Sequence, residues 1–214
     1  MRRYLILILT TLFIISCTSR NVEKTLLDIE SYIKERPDSA LATLDSIDRD
    51  ILITRKLRSH HALLYATALD KNYVNVSDDS LALTALEWFD KHGDYKYKAR
   101  SLYYLGLSHY YSKDYNRAIL ELTKAEKIAE TSDSLYWGLI KSLQGSTYIR
   151  TYNSEEELKC IQKAYEIYSG LSEDNYMDIS KYRLGRIYLN KGQYDKAERI
   201  FEELLALLST LFYL

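Results

Sequence analysis

Beyond residue 25, apolar residues recur every three to four positions almost to the end of the chain, with polar residues between them. This is the period of an amphipathic helix, not the strict alternation of a half-buried strand. Four short polar stretches interrupt it: Ser77-Asp78-Asp79, Ser112-Lys113-Asp114, Asn153-Ser154 and Lys191-Gly192-Gln193. Ser, Asp and Asn favour helix starts, where their oxygens accept from the unpaired N–H groups of the first turn, and Gly favours a left-handed helix end. The pattern predicts an all-α chain of helices joined by tight turns. A single proline, Pro37, and seven glycines in 214 residues leave few positions that would break helices.

Small residues give this pattern a longer period. Ala66, Gly106, Gly145 and Gly185 are spaced 40, 39 and 40 apart, and Ala85, Ala125, Ala164 and Leu204 keep the same spacings. Each pair is separated by 19 residues, with a turn signal between its members. Every unit therefore reads as a helix hairpin, which buries its apolar faces only by stacking on its neighbours. In the stretch from Tyr103 to Ala125, Gly106 and Ala118 are expected to let helix axes approach closely while Tyr and Leu fill the space around them.

These residues resemble the tetratricopeptide repeat. Leu184-Gly185-x-x-Tyr188 followed by Gly192-x-Tyr194-x-x-Ala197-x-x-x-Phe201 is similar to it almost throughout. So are Leu102-x-x-Leu105-Gly106 and Tyr115-x-x-Ala118-x-x-x-Leu122-x-x-Ala125. The unit around Gly145, Tyr148, Ile161 and Ala164 departs further, with Glu157 where the family has Ala, and the unit around Ala66 and Ala85 further still. Leu27 to Ile47 reads as an N-terminal unit, with Pro37-Asp38-Ser39 opening its second helix. The resemblance implies a right-handed α-solenoid of about five stacked hairpins over residues 26–214. Family units are about 34 residues long. Here the extra five or six residues fall between hairpins, as longer helices or longer connections.

The resemblance also implies a binding groove lined by the first helix of each hairpin. Matched place by place, it selects Tyr103, Leu107 and Tyr110; then Ser142, Ser146 and Ile149 with Arg150 beside them; then Tyr182, Arg186 and Leu189 with Asn190. Tyr and Arg are common interface anchors, so a protein or peptide ligand is the expected partner. The same tyrosines also suit packing between repeats. The Lys/Asn clamp that some family members use for a C-terminal carboxylate is absent from the matching places.

The N-terminus carries an address. Arg2 and Arg3 precede an apolar run from Tyr4 to Ile15, and Ser16-Cys17 follows. A charged start, a short apolar core and a small residue at the junction form the pattern of an export signal. The core falls short of the roughly 20 residues that a membrane span needs. Ile14-Ile15-Ser16-Cys17 resembles the bacterial lipobox, which implies a signal peptide over 1–16, lipid attachment at Cys17 and a polar tether over 17–25. Removing residues 1–16 takes the formal charge from −1 to about −3. The expected location is the envelope of a Gram-negative bacterium, periplasmic or associated with the outer membrane.

Composition narrows the chemistry. Positive charge is dispersed, so no phosphate-binding nucleic-acid face is indicated. His60 and His61 are adjacent and so point about 100° apart on a helix, unlike an i, i+4 zinc pair. The four histidines are expected to be solvated or half-buried, and Cys160 to be a small core residue. Glu155-Glu156-Glu157 complements a helix start. No nucleophile–base pair, phosphate loop or metal spacing is found, so neither an enzyme nor a cofactor is expected. The sequence reads as a lipid-anchored, non-catalytic scaffold for a protein or peptide. The alternative is the sensor part of a longer membrane-bound transcriptional regulator, since the apolar end FEELLALLSTLFYL has no polar capping helix after it.

Overall fold

The computed structural model describes residues 19–212, with side chains through Leu207. The signal-peptide and Cys17 expectations lie outside these residues. Every regular element among them is helical. In order they are α1 (residues 19–32), α2 (Pro37–Ser46), α3 (Arg55–Lys71), α4 (Ser80–Phe89) and α5 (Tyr95–Tyr111). Then come α6 (Tyr115–Ser132), α7 (Ser134–Arg150), α8 (Ser154–Leu171), α9 (Asp174–Asn190) and α10 (Tyr194–Phe212). A 3₁₀ turn, Arg49–Ile51, joins α2 to α3. The chain divides into two compact units between Ser112 and Lys113.

In the first unit, Val22, Leu26, Ile29 and Ile33 recur along one face and pack with Leu44, Leu57, Leu64 and Ala68 of α2 and α3. This corrects the tether expected over 17–25, because the chain is helical from residue 19 and Val22 is buried. An apolar stripe that continues upstream of Leu26 has more to gain from burial than from solvation. His60 and His61 are also buried, at 4% and 8% exposure, contrary to the solvated or half-buried role expected of them. His61 Nε2 lies 3.1 Å from the Leu44 carbonyl, so the core accepts its ring by giving it a hydrogen-bond partner.

In the second unit each helix packs on the next from α6 to α10. Small residues let them approach. A methyl group on Gly145 would lie 2.5 Å from Ile161 Cδ1, and one on Gly185 would lie 2.7 Å from Phe201 Cε1. Both contacts join residues 16 apart, in the first and second helices of one hairpin, so the period read from small residues is a packing period. Gly106 and Ala118 are both buried. In this unit the extra residues of the repeat lengthen helices: α6 to α9 have 17 or 18 residues, and Asp133 alone separates α6 from α7.

The turns repeat too. Tyr73, Lys113, Tyr152 and Gly192 all have φ between 58° and 70°, and each follows a first helix at the 40, 39 and 40 spacing. Asn153 N–H donates to the Tyr148 carbonyl and Gln193 N–H to the Tyr188 carbonyl, closing two of these left-handed ends. Two of the expected starts hold as caps: Asp114 accepts from Arg117 N–H at 3.1 Å and Asn153 from Glu156 N–H at 3.3 Å, whereas Asp79 before α4 makes no such bond.

Candidate protein-binding face

Two first helices of the second unit, α7 and α9, are held side by side by one arginine. Arg183 donates from Nη1 to the Ser142 carbonyl and from Nη2 to Ser146 Oγ, both at 3.1 Å. Beside this junction, Ile149, Arg150, Tyr182, Arg186, Leu189 and Asn190 are all exposed. Three large apolar side chains among them, Ile149, Tyr182 and Leu189, keep between 41% and 51% of their surface in solvent. Ser142 and Ser146 are half-buried, with Ser146 Oγ also donating to the Ser142 carbonyl.

Where α7, α8 and α9 meet near their turn ends, a pocket open to solvent is lined by Ile149, Tyr152, Glu157, Ile187, Asn190 and Lys191 among others. Glu157 is 8% exposed. Burial pushes its carboxyl pKa up, and the nearby Arg183 and Arg186 guanidiniums partly offset that. Its place in the first turn of α8 agrees with the helix-start reading, but burial against α9 is a tertiary feature.

The remaining groove candidates are placed differently. Tyr103 is 6% and Leu107 9% exposed, so both contribute to packing, and Tyr110 is half-buried with its ring 5.7 Å from that of Tyr111. The repeat pattern marks which side of α5 these residues share, but not what covers it. Cys160 is buried, as its small apolar side chain implied, and burial raises its thiol pKa to about 11.

The first unit contains an ionic cluster with no local sequence signal. Tyr97 donates to Glu30 Oε2 at 2.6 Å, and Arg100 donates to Glu30 Oε1 at 2.9 Å. His60 Nε2 stands 3.4 Å from Glu30 Oε2, an ion-pair distance without hydrogen-bond alignment. Burial alone would raise the Glu30 pKa, but His60, Tyr97 and Arg100 outweigh it and hold the group at about 2. Glu30 is 67 and 70 residues from Tyr97 and Arg100, a separation that no short motif spans. Among the described residues, no group of three or more His, Cys, Asp or Glu side chains could hold a metal ion, and no helix is long and apolar enough to cross a membrane.

Residues 180–210, covering most of α9 and nearly all of α10, match the tetratricopeptide repeat family. The protein has a tetratricopeptide-repeat fold. Nearly identical TPR-like repeats assigned to a kinesin light chain of Podosopora anserina superpose with a TM-score of 0.61 at 16% identity, over 91% of this chain and 97% of that one. The apo form of RapI superposes with a TM-score of 0.63 at 18% identity, over 88% of this chain and 54% of that one. In sequence, tetratricopeptide repeat protein 29 of Macaca fascicularis is 27% identical over 152 residues, or 69% of this chain. The matched region spans 31% of that relative's length.

Proposed function

We propose that this tetratricopeptide-fold protein is a non-catalytic scaffold that holds a protein or peptide partner against the first-helix face of its second unit. The carrying observation is the set of exposed side chains on α7 and α9: Ile149, Arg150, Tyr182, Arg186, Leu189 and Asn190. Apolar and arginine side chains together on one face favour desolvated anchoring by a partner. Ser142 and Ser146 serve this face indirectly, by fixing Arg183 and hence the register of α9 on α7.

The test is partner capture from intact cell envelopes, comparing the wild type with Tyr182→Ala and Leu189→Ala combined. Both residues are half exposed, so the variant is expected to melt within a few degrees of the wild type and to lose its specific partners. An unchanged partner set would overturn the assignment.

The same reading places the protein on the envelope of a Gram-negative bacterium through a lipid on Cys17, on the strength of the N-terminal signal pattern. Radiolabelled palmitate should be incorporated by the wild type and not by Cys17→Ala. Several acyl chains hold a protein firmly, since each buried methylene contributes about 0.8 kcal/mol.

A further inference from the structure

Tyr152 combines two features that oppose stability. Its φ of 58° is costly for a side chain with a Cβ, and the residue is 96% exposed. Of the equivalent places, Tyr73 and Lys113 share this conformation, and only Gly192 after α9 adopts it, at φ 70°, without steric cost. A bulky aromatic held in this conformation, at the rim of the pocket shared with Ile149 and Ile187, contributes contact area where the fold itself would be better served by glycine.

The charges that α7 and α9 bring to the pocket are one-sided. From Ser142 to Arg150 and from Tyr182 to Lys191 there is no acidic residue, while Arg150, Arg183, Arg186 and Lys191 are all basic. The second helices α8 and α10 have the opposite balance, with eight acidic and four basic residues. Glu157 is the one carboxylate lining the pocket, and Arg183 and Arg186 both act on it. Among the described residues no hydrogen bond or ion pair engages the side chains of Arg186 or Lys191. Counted against Glu155, Glu156 and Glu157 of the first turn of α8, the four basic side chains still leave the rim net positive, and such a field selects an anionic partner.

Building on the scaffold reading above, we propose that this pocket docks an acidic segment of the protein partner. Its carboxylates pair with Arg186 and Lys191, and an adjacent apolar side chain packs against Tyr152 and Ile149. The positive charge steers and selects the segment, and the aromatic contact slows its release.

The test uses the purified full chain in detergent and a fluorescein-labelled 12-residue peptide of repeated Glu-Glu-Leu, with Gln-Gln-Leu and Lys-Lys-Leu versions as controls. The Glu peptide should bind at least about tenfold more tightly than either control, and Arg186→Glu should remove most of that difference. Glu157→Gln should tighten binding severalfold, because it removes the negative charge nearest the ligand. A basic ligand would respond in the opposite sense. Tyr152→Gly should weaken binding about fivefold while Tm holds or rises by ~2–4 °C, since glycine relieves the backbone. That combination separates a binding role from a structural one.

Equal binding of the Gln peptide, preference for the Lys peptide, or no effect of Tyr152→Gly would each overturn the proposal. If acidic peptides fail while partner capture still depends on Tyr182 and Leu189, the acidic chemistry is wrong and the scaffold reading stands. If capture is also unaffected by those two residues, both readings fall.

Discussion

Gly138 shows how one missing methyl group can set a packing distance. A Cβ there would lie 2.5 Å from Tyr168 Cε1, and Tyr168 is 1% exposed, so its rigid ring has no room to move aside. Overpacking of this kind costs about 1–3 kcal/mol, partly offset by about 1 kcal/mol for replacing a helical glycine. Gly138→Ala should therefore lower the urea midpoint. A Cβ on Gly170 in α8 would meet nothing within 4 Å, so Gly170→Ala should raise the midpoint by up to about 1 kcal/mol in stability. Equal effects from the two substitutions would show that contact distance does not govern the response. Cys160 belongs to the same scale: with its thiol pKa raised to about 11 by burial, it should resist iodoacetamide at pH 8 until the protein unfolds. Mass spectrometry of the Cys160 peptide across a urea series would reveal any labelling that precedes unfolding.

At the scale of elements, Glu30 ties α1 to α3 and α5 through His60, Tyr97 and Arg100. Its folded pKa of about 2 lies below the ordinary carboxylate value, so its contribution is present above pH ~4.5 and is lost as pH falls toward 2. The shift corresponds to about 3 kcal/mol at most, and to about 1–2 kcal/mol after solvent screening of a partly exposed group. Glu30→Gln should lose that amount at pH 7 and flatten the acid limb of the stability curve between pH ~4.5 and ~2. Urea melts across that range would decide; a variant that keeps the wild-type limb would remove Glu30 as its source. The long helices of the second unit belong to this scale as well. A repeat of 39 or 40 residues could add loop or helix, and Asp133 as the whole connection between α6 and α7 shows that here it adds helix, whereas residues 72–79 before the ten-residue α4 add loop. Polar caps such as Asp114, Asn153 and the Lys191-Gly192-Gln193 turn were legible because each acts within four residues of itself.

For the whole molecule, the proposed binding face predicts a salt-sensitive interaction. Its basic residues lie on first helices, so capture of the partner should fall steadily between ~0.05 and ~0.5 M NaCl, as the Debye length contracts from about 14 to about 4 Å. Capture that is insensitive to salt would assign the binding to apolar contacts such as Leu189 and Tyr182 alone.

The all-helical class, the hairpin period and the small-residue contacts were set by the sequence by itself, because each depends on spacing along one helix or across one turn. Gly145 against Ile161 and Gly185 against Phe201 fall where the 40-residue period places them. Burial and long-range pairing were decided only by tertiary structure. Tyr103 and Tyr182 occupy matching places in their repeats, yet one is 6% and the other 51% exposed. The joining of Glu30 to Arg100, and of Arg183 to Ser142, depends on which helices the chain stacks together. Periodicity names the side of a helix a residue occupies, but solvent exposure depends on what packs against that side.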